Sequence, residues 1–240
     1  PFVIDTICSN GIALAEPTVF LIGDSHADSA SNGVLEAGKQ LGVKTFGWHM
    51  PGCPLLSGYF VNHSDICDSA KAFSMSALSY YNVETVIIVD SYVTYLTGEQ
   101  PADEVDRELR NGKISSFWSD KVRAIVLSLS QLVDEVETTS QHVVVMLEVP
   151  FAIMSGTTGL GECPAHELLR SAINNKITDR FENNSDVTVF DPEPFLLEGK
   201  NPCDPASNES SLYWHKTHLN KSGSLKLVEG WKGVVSSLLK

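Results

Sequence analysis

The chain has 240 residues, of which 42% are hydrophobic and 20% are charged, a composition typical of a globular domain with a sizeable core and not of a disordered chain. Its formal net charge is −13 and no basic stripe is present, which argues against a nucleic-acid partner because phosphate binding requires clustered Lys and Arg. No apolar run approaches the ~20 residues that a membrane-spanning helix needs.

Short apolar runs alternate with longer stretches of helical pattern along the chain. The runs contain consecutive Val and Ile, which is typical of strands buried on both faces of a parallel sheet. They occupy residues 18–22, 43–48, 85–89, 142–149 and 187–190. The predicted helices occupy residues 27–41, 67–81, 115–137, 164–181 and 220–239. In the third helix the apolar residues recur at i, i+3 and i+4, which indicates one buried face.

This alternation predicts right-handed βαβ units that form an α/β, flavodoxin-like three-layer α/β/α sandwich with a five-stranded parallel sheet. Neither an internal repeat nor a linker divides the chain, so we predict one domain over residues 1–240. Two long loops, residues 48–66 and 191–214, are expected at the strand ends, where open α/β sheets build their sites.

The segment Gly23-Asp24-Ser25-His26-Ala27 follows the first predicted strand and opens the first predicted helix. A sharp strand-to-helix turn would expose the Ser25 hydroxyl, and Gly23 permits the close backbone approach that such a turn needs. The helix N-terminus directs free N–H groups to the same place, which favours a developing oxyanion. The alternative is that Asp24 and Ser25 only cap the helix.

A histidine, His218, precedes the last predicted helix in the segment Y-W-H-K-T-H-L of residues 213–219. In a doubly wound fold this segment and the first strand's turn lie at the same edge of the sheet. A serine hydroxyl is a weak nucleophile until a base removes its proton, and histidine is the usual base near neutral pH. The sequence therefore pairs Ser25 with His218, and we expect activity to fall on acidification through about pH 6 to 7.

Five cysteines lie far apart in loop-like contexts without a CxxC pair. We predict that Cys53 pairs with Cys67 and Cys163 with Cys203, which leaves Cys8 over. Disulfides persist in oxidising compartments, so two bridges would place the chain outside the cytosol. The alternative is five unpaired thiols.

The segment G-D-S-H-A of residues 23–27, the segment Y-x-x-x-x-H-L of residues 213–219 and S-G-S of residues 222–224 resemble the first and last blocks of SGNH/GDSL hydrolases. More narrowly, they resemble the SGNH domain that is associated with membrane O-acyltransferases of bacterial surface polysaccharides. The resemblance extends from about Cys8 to the end of the chain.

The resemblance implies an SGNH hydrolase fold with Ser25 as nucleophile and His218 as general base. The N–H groups of Ser25 and Gly52 would hold the oxyanion. It further implies an O-acetyltransferase or acetylesterase that acts on a carbohydrate, such as an acceptor sugar or an acylated glycan of a cell-surface polysaccharide, without a cofactor. The protein would be extracytoplasmic, periplasmic or secreted, and partnered by or tethered through a membrane acyltransferase domain.

The chain departs from the family pattern at two places. The family usually has an Asp three residues before its catalytic histidine, and this position is His215 here. We therefore consider His215 and Asp24 as residues that orient or modulate His218. The family's third-block Asn is also absent, since the chain reads D-S-Y-V at residues 90–93. The alternative functions are a degenerate SGNH domain that binds glycan or a partner protein without turnover, and an unrelated flavodoxin-like small-molecule binder.

Other candidate residues are predicted to be structural. His215 and His218 lack a third ligand of suitable spacing, so we predict no metal site. His26 is expected to be a structural hydrogen-bonding residue, and Glu148 a solvated residue at a strand end. Four aromatic residues either form a sugar-binding rim or bury loop surface: Trp48, Tyr92, Tyr213 and Trp214.

Overall fold

A six-stranded sheet forms the centre of the computed structural model, which describes residues 8–12, 19–57, 64–98, 109, 113–152, 163–203 and 210–238. The strands are β1 (Cys8–Ser9), β2 (Val19–Gly23), β3 (Thr45–His49), β4 (Thr85–Val89), β5 (His142–Met146) and β6 (Val187–Phe190). Their order is β1-β3-β2-β4-β5-β6. All neighbours are parallel except β1, which runs antiparallel to β3.

The five parallel strands have the flavodoxin-like order, and they confirm the predicted fold class. The direction of strand addition reverses between β2 and β4, and open α/β sheets bind ligands at such a switch point, beyond the carboxyl ends of the strands. The antiparallel edge strand was not predicted, because its two residues are too few to carry a hydrophobic pattern. They join the sheet by pairing with Phe46 and Gly47 of β3.

Helices cover both faces of the sheet and complete the three layers. They are α1 (Ser25–Leu41), α2 (Ser64–Tyr81), α3 (Tyr92–Thr97), α4 (Ser116–Glu137), α5 (Cys163–Phe181), α6 (Glu193–Leu197), α7 (Lys221–Lys226) and α8 (Val228–Leu238). The apolar faces of α2, α4 and α5 pack on one side of the sheet. Helices α1 and α8 pack on the other side. Each strand of the parallel sheet is thus buried from both sides, as its Val and Ile content predicts.

Two predicted boundaries differ from the structure. Strand β5 ends at Met146, opposite the last residue of β6, Phe190, and the N–H of Leu147 just beyond it still donates to the Phe190 carbonyl oxygen. The last predicted helix is divided at Leu227 into α7 and α8. Both halves pack on α1; Ser224 of α7 also bonds to α1, whereas the ring of Trp231 in α8 contacts that of Phe190 at a centroid distance of 4.0 Å.

Two disulfides connect the loops to the helices. Cys53–Cys67 ties the loop after β3 to α2, and Cys163–Cys203 ties the start of α5 to the loop after α6. Both predicted pairings are confirmed, and Cys8 is free and exposed. Among the described residues, no helix combines the length and the apolar character that a bilayer crossing requires.

Candidate active site

The turn between β2 and α1 presents Ser25 at the switch point of the sheet. Gly23 has φ 149°, and a Cβ there would overlap the carbonyl oxygen of Val89, its partner in β4. Asp24 caps α1, since its Oδ1 accepts from the N–H of His26 at 2.7 Å. Ser25 is therefore the first residue of a 17-residue helix, half-buried and close to the free N–H groups of its first turn. Asp24 therefore caps the helix, and the hydroxyl of the next residue, Ser25, stays partly exposed.

His218 reaches this turn from a short antiparallel hairpin near the C-terminus. The hairpin consists of β7 (Tyr213–His215) and β8 (His218–Leu219). Nε2 of His218 lies 2.8 Å from Oγ of Ser25 although 193 positions separate the two residues. This is the distance that a nucleophile and its general base require.

Close packing of α7 on α1 holds the hairpin in place. The hydroxyl of Ser224 donates to the carbonyl oxygen of Ala30 at 2.9 Å and accepts from the N–H of Gly33 at 2.8 Å. A Cβ at Gly33 would overlap the Ser224 carbonyl oxygen, and one at Gly223 would overlap that of Leu212. The S-G-S segment and a glycine of α1 thus permit a helix contact too close for larger residues, and this contact fixes His218 over Ser25.

A cavity of about 390 Å³ opens above the Ser25–His218 pair. Gly52 has φ 75° and lines the same cavity, which brings the predicted oxyanion glycine to the nucleophile. Its loop is tied down by Met50, whose N–H donates to the carbonyl oxygen of Gly23 at 3.0 Å, and by the disulfide of Cys53. The apolar atoms of Met50, Pro51 and Ile66 and the side chain of Tyr95 add to the walls.

Two buried aspartates support the turn from below. Oδ2 of Asp24 accepts from the N–H of Ser91 at 3.0 Å and from the hydroxyl of Tyr95 at 2.6 Å. Oδ1 of Asp90 accepts from the N–H of Asp24 at 3.1 Å. Burial raises the pKa of both carboxyl groups, that of Asp90 also because Asp24 is near; the bonds from Tyr95 and the backbone partly offset this for Asp24. Asp90 and Ser91 thus brace the turn from the end of β4.

His218 has a hydrogen-bonding partner on only one ring nitrogen. Its Nδ1 is buried and has no hydrogen-bond partner within the described chain. His215 is exposed, with its ring edge-to-face to that of His218 at a centroid distance of 5.8 Å. Burial lowers the pKa of His218 to about 4, helped by the nearby His26 and opposed by Asp24. A base with this pKa is neutral, and able to accept a proton, well below the expected range of pH 6 to 7.

Two residues that the sequence left outside the site lie directly behind His218. Glu148 was predicted to be solvated and is only 2% exposed, so this prediction is wrong. Beyond the end of β5 its side chain turns inward, and Oε2 accepts from the N–H of Val93 at 3.0 Å. The ring of His26 is 4% exposed and contacts the ring of His218 at a centroid distance of 4.5 Å. The continuous apolar run that contains Glu148 is the signal for its burial.

The four aromatic candidates divide into two groups. Trp48, Tyr92 and Tyr213 are buried and fill loop and core space. Trp214 is 67% exposed, and its ring lies 5.7 Å from that of His218. Only Trp214 is therefore available at the edge of the site. The described residues contain no group of three or more His, Cys, Asp or Glu side chains arranged to hold a metal ion.

Solved structures share this architecture at low sequence identity. A catalytic mutant of an acetylxylan esterase from Geobacillus stearothermophilus is 13% identical, with a TM-score of 0.53 over 91% of this chain and 94% of that chain. The periplasmic domain of a lipopolysaccharide acetyltransferase from Salmonella ser. Paratyphi A is 13% identical, with a TM-score of 0.52 over 95% of this chain and 86% of that chain. At these identities the likeness establishes the fold.

The amino-acid sequence, unlike the fold alone, identifies the family. No curated protein matches significantly. The family described as "SGNH domain (fused to AT3 domains)" matches residues 4–232, nearly the whole chain. The chain belongs to this SGNH domain family.

Proposed function

We propose that the protein catalyses serine-dependent acyl transfer on a carbohydrate, as an O-acetyltransferase or an acetylesterase, with residues 1–240 acting as one catalytic domain. The observation that carries this proposal is the 2.8 Å distance between Oγ of Ser25 and Nε2 of His218, at the base of an open cavity. Membership of the SGNH domain family and the fold of esterases and an acetyltransferase support it.

In the proposed mechanism, Oγ of Ser25 attacks the acyl carbonyl carbon while Nε2 of His218 takes the hydroxyl proton. The negative charge that develops on the carbonyl oxygen is held by the N–H of Ser25, at the start of α1, and by the N–H of Gly52. His218 then returns the proton to the departing alcohol oxygen, which leaves an ester on Ser25. A second hydroxyl, from a sugar or from water, gives its proton to His218 and attacks the carbonyl carbon of this ester. The bond between the acyl group and Oγ of Ser25 then breaks, and His218 returns the proton to Oγ, which restores the free serine.

The site and the similar structures favour a carbohydrate as the group that carries or accepts the acyl chain. The solved structures of this fold include proteins named for acetylated xylan and for lipopolysaccharide. The exposed indole of Trp214 beside His218 offers a flat surface of the kind on which sugar rings stack. A cell-surface polysaccharide is the substrate we propose.

We also propose an extracytoplasmic location and a membrane acyltransferase as partner, either tethered to this domain or separate. The two disulfides favour an oxidising compartment. The family to which the chain belongs is fused to AT3 domains, and one similar structure is a periplasmic domain. In this arrangement the partner supplies the acyl group and Ser25 transfers it to the sugar.

A serine-directed phosphonate probe tests the proposal directly. We expect stoichiometric labelling at Ser25, detected by mass spectrometry of peptides, and no labelling in His218→Ala, because the hydroxyl then lacks its base. The unpartnered Nδ1 of His218 favours the second candidate function, a domain that binds glycan without turnover. Absence of labelling together with binding of acetylated oligosaccharides would support that candidate and contradict catalysis.

A further inference from the structure

A second histidine lies directly behind the general base and has no role in the mechanism above. The rings of His26 and His218 are tilted by 45° and their centroids are 4.5 Å apart. His26 is the residue after the nucleophile, in the first turn of α1, and its backbone N–H is fixed by the cap on Asp24. The ring against which His218 packs is thus held by a rigid helix and not by the hairpin that carries His218.

The two ring nitrogens of His26 face two buried carboxyl groups. Nδ1 lies 3.7 Å from Oδ1 of Asp24, and Nε2 lies 3.5 Å from Oε1 of Glu148. Neither nitrogen of His26 nor Oε1 of Glu148 forms a close hydrogen bond within the described chain, although the backbone of Thr217, in the hairpin, interacts with the His26 ring and favours its protonated form. These distances are just beyond hydrogen-bond range, so a small shift of the ring closes either contact. A continuous row of polar groups runs from His218 through His26 to Glu148.

This row of buried groups orients the ring of His218, which the exposed hairpin does not do. A triad carboxylate normally orients the base through Nδ1 and stabilises its protonated form. Nδ1 of His218 has no such partner within the described chain, and the ring of His215 is exposed. The charge on Asp24 favours protonated His218 whereas His26 opposes it, so what the ring of His26 gives the general base is a fixed orientation.

We propose that His26 is the positioning residue of His218 and that it links the general base to the buried carboxyl groups of Asp24 and Glu148, in place of the aspartate absent from position 215. This inference rests on the proposed function, because His26 acts on the reaction only through His218. His218 exchanges the proton with Ser25, while His26 keeps the ring of His218 in line.

The effect of Glu148 ionisation on the protonation of His218 has a direction that can be measured. Burial lowers the pKa of His26 to about 3 and raises the pKa of Glu148 to about 8. Near neutral pH both groups are therefore uncharged, and Glu148 ionises as the pH rises through about 8. The new negative charge lies 3.5 Å from His26 and favours protonated His218.

The other groups that face Glu148 leave its pKa raised, and they do not change the sign of its effect on His218. They come from the cap of α1, the end of β4, the start of α3 and α5, and are Asp24, Asp90, the backbone N–H groups of Tyr92 and Val93, and Arg170. Both aspartates oppose ionisation of Glu148, whereas the N–H groups and Arg170 favour it, and burial outweighs them all.

Histidine-selective NMR tests the linkage without any substrate. We expect the ring signals of His218 to titrate with one midpoint near pH 4 and to shift again with a second midpoint near pH 8. The second midpoint should vanish in Glu148→Gln and in His26→Leu. It should remain in Glu167→Gln, a matched variant of a buried carboxyl group that bonds to Arg170 and Phe151 instead. A single midpoint in the wild-type protein, or a second midpoint that persists in Glu148→Gln, would overturn the inference.

Kinetics on a small acetyl ester test the positioning role. His26→Leu should lower kcat about 10- to 100-fold with KM changed by no more than about twofold, because a misaligned base slows proton transfer and not binding. His26→Gln should recover part of the loss, since its amide can still face Asp24 and Glu148. Wild-type kcat in His26→Leu would overturn the role.

The two proposals fail in different ways. A wild-type protein that neither hydrolyses the ester nor reacts with the phosphonate would refute the proposed function. The NMR titration would still decide whether His26 links His218 to Glu148. If His26→Leu does not fold, Glu148→Gln decides the titration on its own.

Discussion

The two halves of the candidate active site are held by different means. Ser25 stands at the end of a central strand, on a turn braced by Asp24 and Asp90 and closed by a glycine. His218 stands on a hairpin of two short strands that reaches the site only because α7 packs on α1. The nucleophile is thus fixed by the sheet itself, whereas the base is fixed by a separate C-terminal segment. Changes to the first should abolish the chemistry, and changes to the second should tune it.

The largest effect is expected from Ser25→Ala, which removes the nucleophile from the better-braced half. We expect kcat/KM on a small acetyl ester to fall at least about 10³-fold, with the circular dichroism spectrum unchanged because the turn is held by other residues. Ser29→Ala is the matched control, since its hydroxyl lies one turn further along α1 and donates to the Ser25 carbonyl. Retention of most activity in a folded Ser25→Ala protein would contradict the mechanism.

The next effect is expected from His215→Asp, which gives the base the residue that the family usually has. A carboxylate that reaches Nδ1 of His218 would stabilise the protonated ring, and we expect kcat to rise about tenfold or more. The acid limb of the pH profile should move to higher pH as the pKa of His218 rises. His215→Asn, of the same size without the charge, should give little of the gain. We expect the gain even though His26 positions the ring, because His26 carries no negative charge; an unchanged or lower rate in His215→Asp would show that a carboxylate at position 215 does not reach Nδ1 of His218.

The pH profile distinguishes a buried base from an exposed one. Because burial lowers the pKa of His218 to about 4, the ring stays neutral and able to accept a proton down to that pH. We expect kcat/KM to be level from about pH 7 to about pH 5 and to fall about tenfold per unit below about pH 4. Circular dichroism at each pH separates this loss from acid unfolding. An acid limb at about pH 6 to 7, as the sequence alone predicts, would mean that the hairpin exposes His218 in solution.

The smallest effect is expected from Ser224→Ala, which loosens the contact that carries the base. The change removes two buried hydrogen bonds, so we expect the free energy of unfolding to fall by about 1 to 3 kcal/mol. The rate kcat should fall about 3- to 10-fold because the hairpin is less well placed. Urea denaturation and ester hydrolysis measure the two effects. Ser222→Ala, exposed in the same helix, is the control, and an equal loss there would contradict the role of the contact.

The sequence predicts the parts of the molecule that are local in the chain. Consecutive Val and Ile residues predict the five parallel strands, and the glycine-aspartate-serine turn predicts where Ser25 lies. The disulfide pairings also follow, because the loops that carry them meet at one edge of the sheet. These features depend on neighbouring residues or on the strand order.

The features that the sequence does not predict depend on contacts between distant segments. Glu148 follows a strand as a solvated residue would, and only the turn beyond the last partner of β5 directs it inward. The pKa of His218 is lowered by burial beside His26, and the two residues are 192 positions apart in the chain. The division between α7 and α8 at Leu227 is marked by no helix-breaking residue.

The exposure of position 215 has an evolutionary consequence. Its side chain lies on the outer strand of a hairpin, and neither the core nor the contact between α7 and α1 includes it. A substitution there can change the strength of the base at almost no cost in folding, whereas Gly23 and Asp24 of the turn are tied to the end of β4. Selection for faster, slower or more selective acyl transfer can therefore act at this surface position. A single nucleotide change in the gene is enough, since histidine and aspartate codons differ only in their first letter.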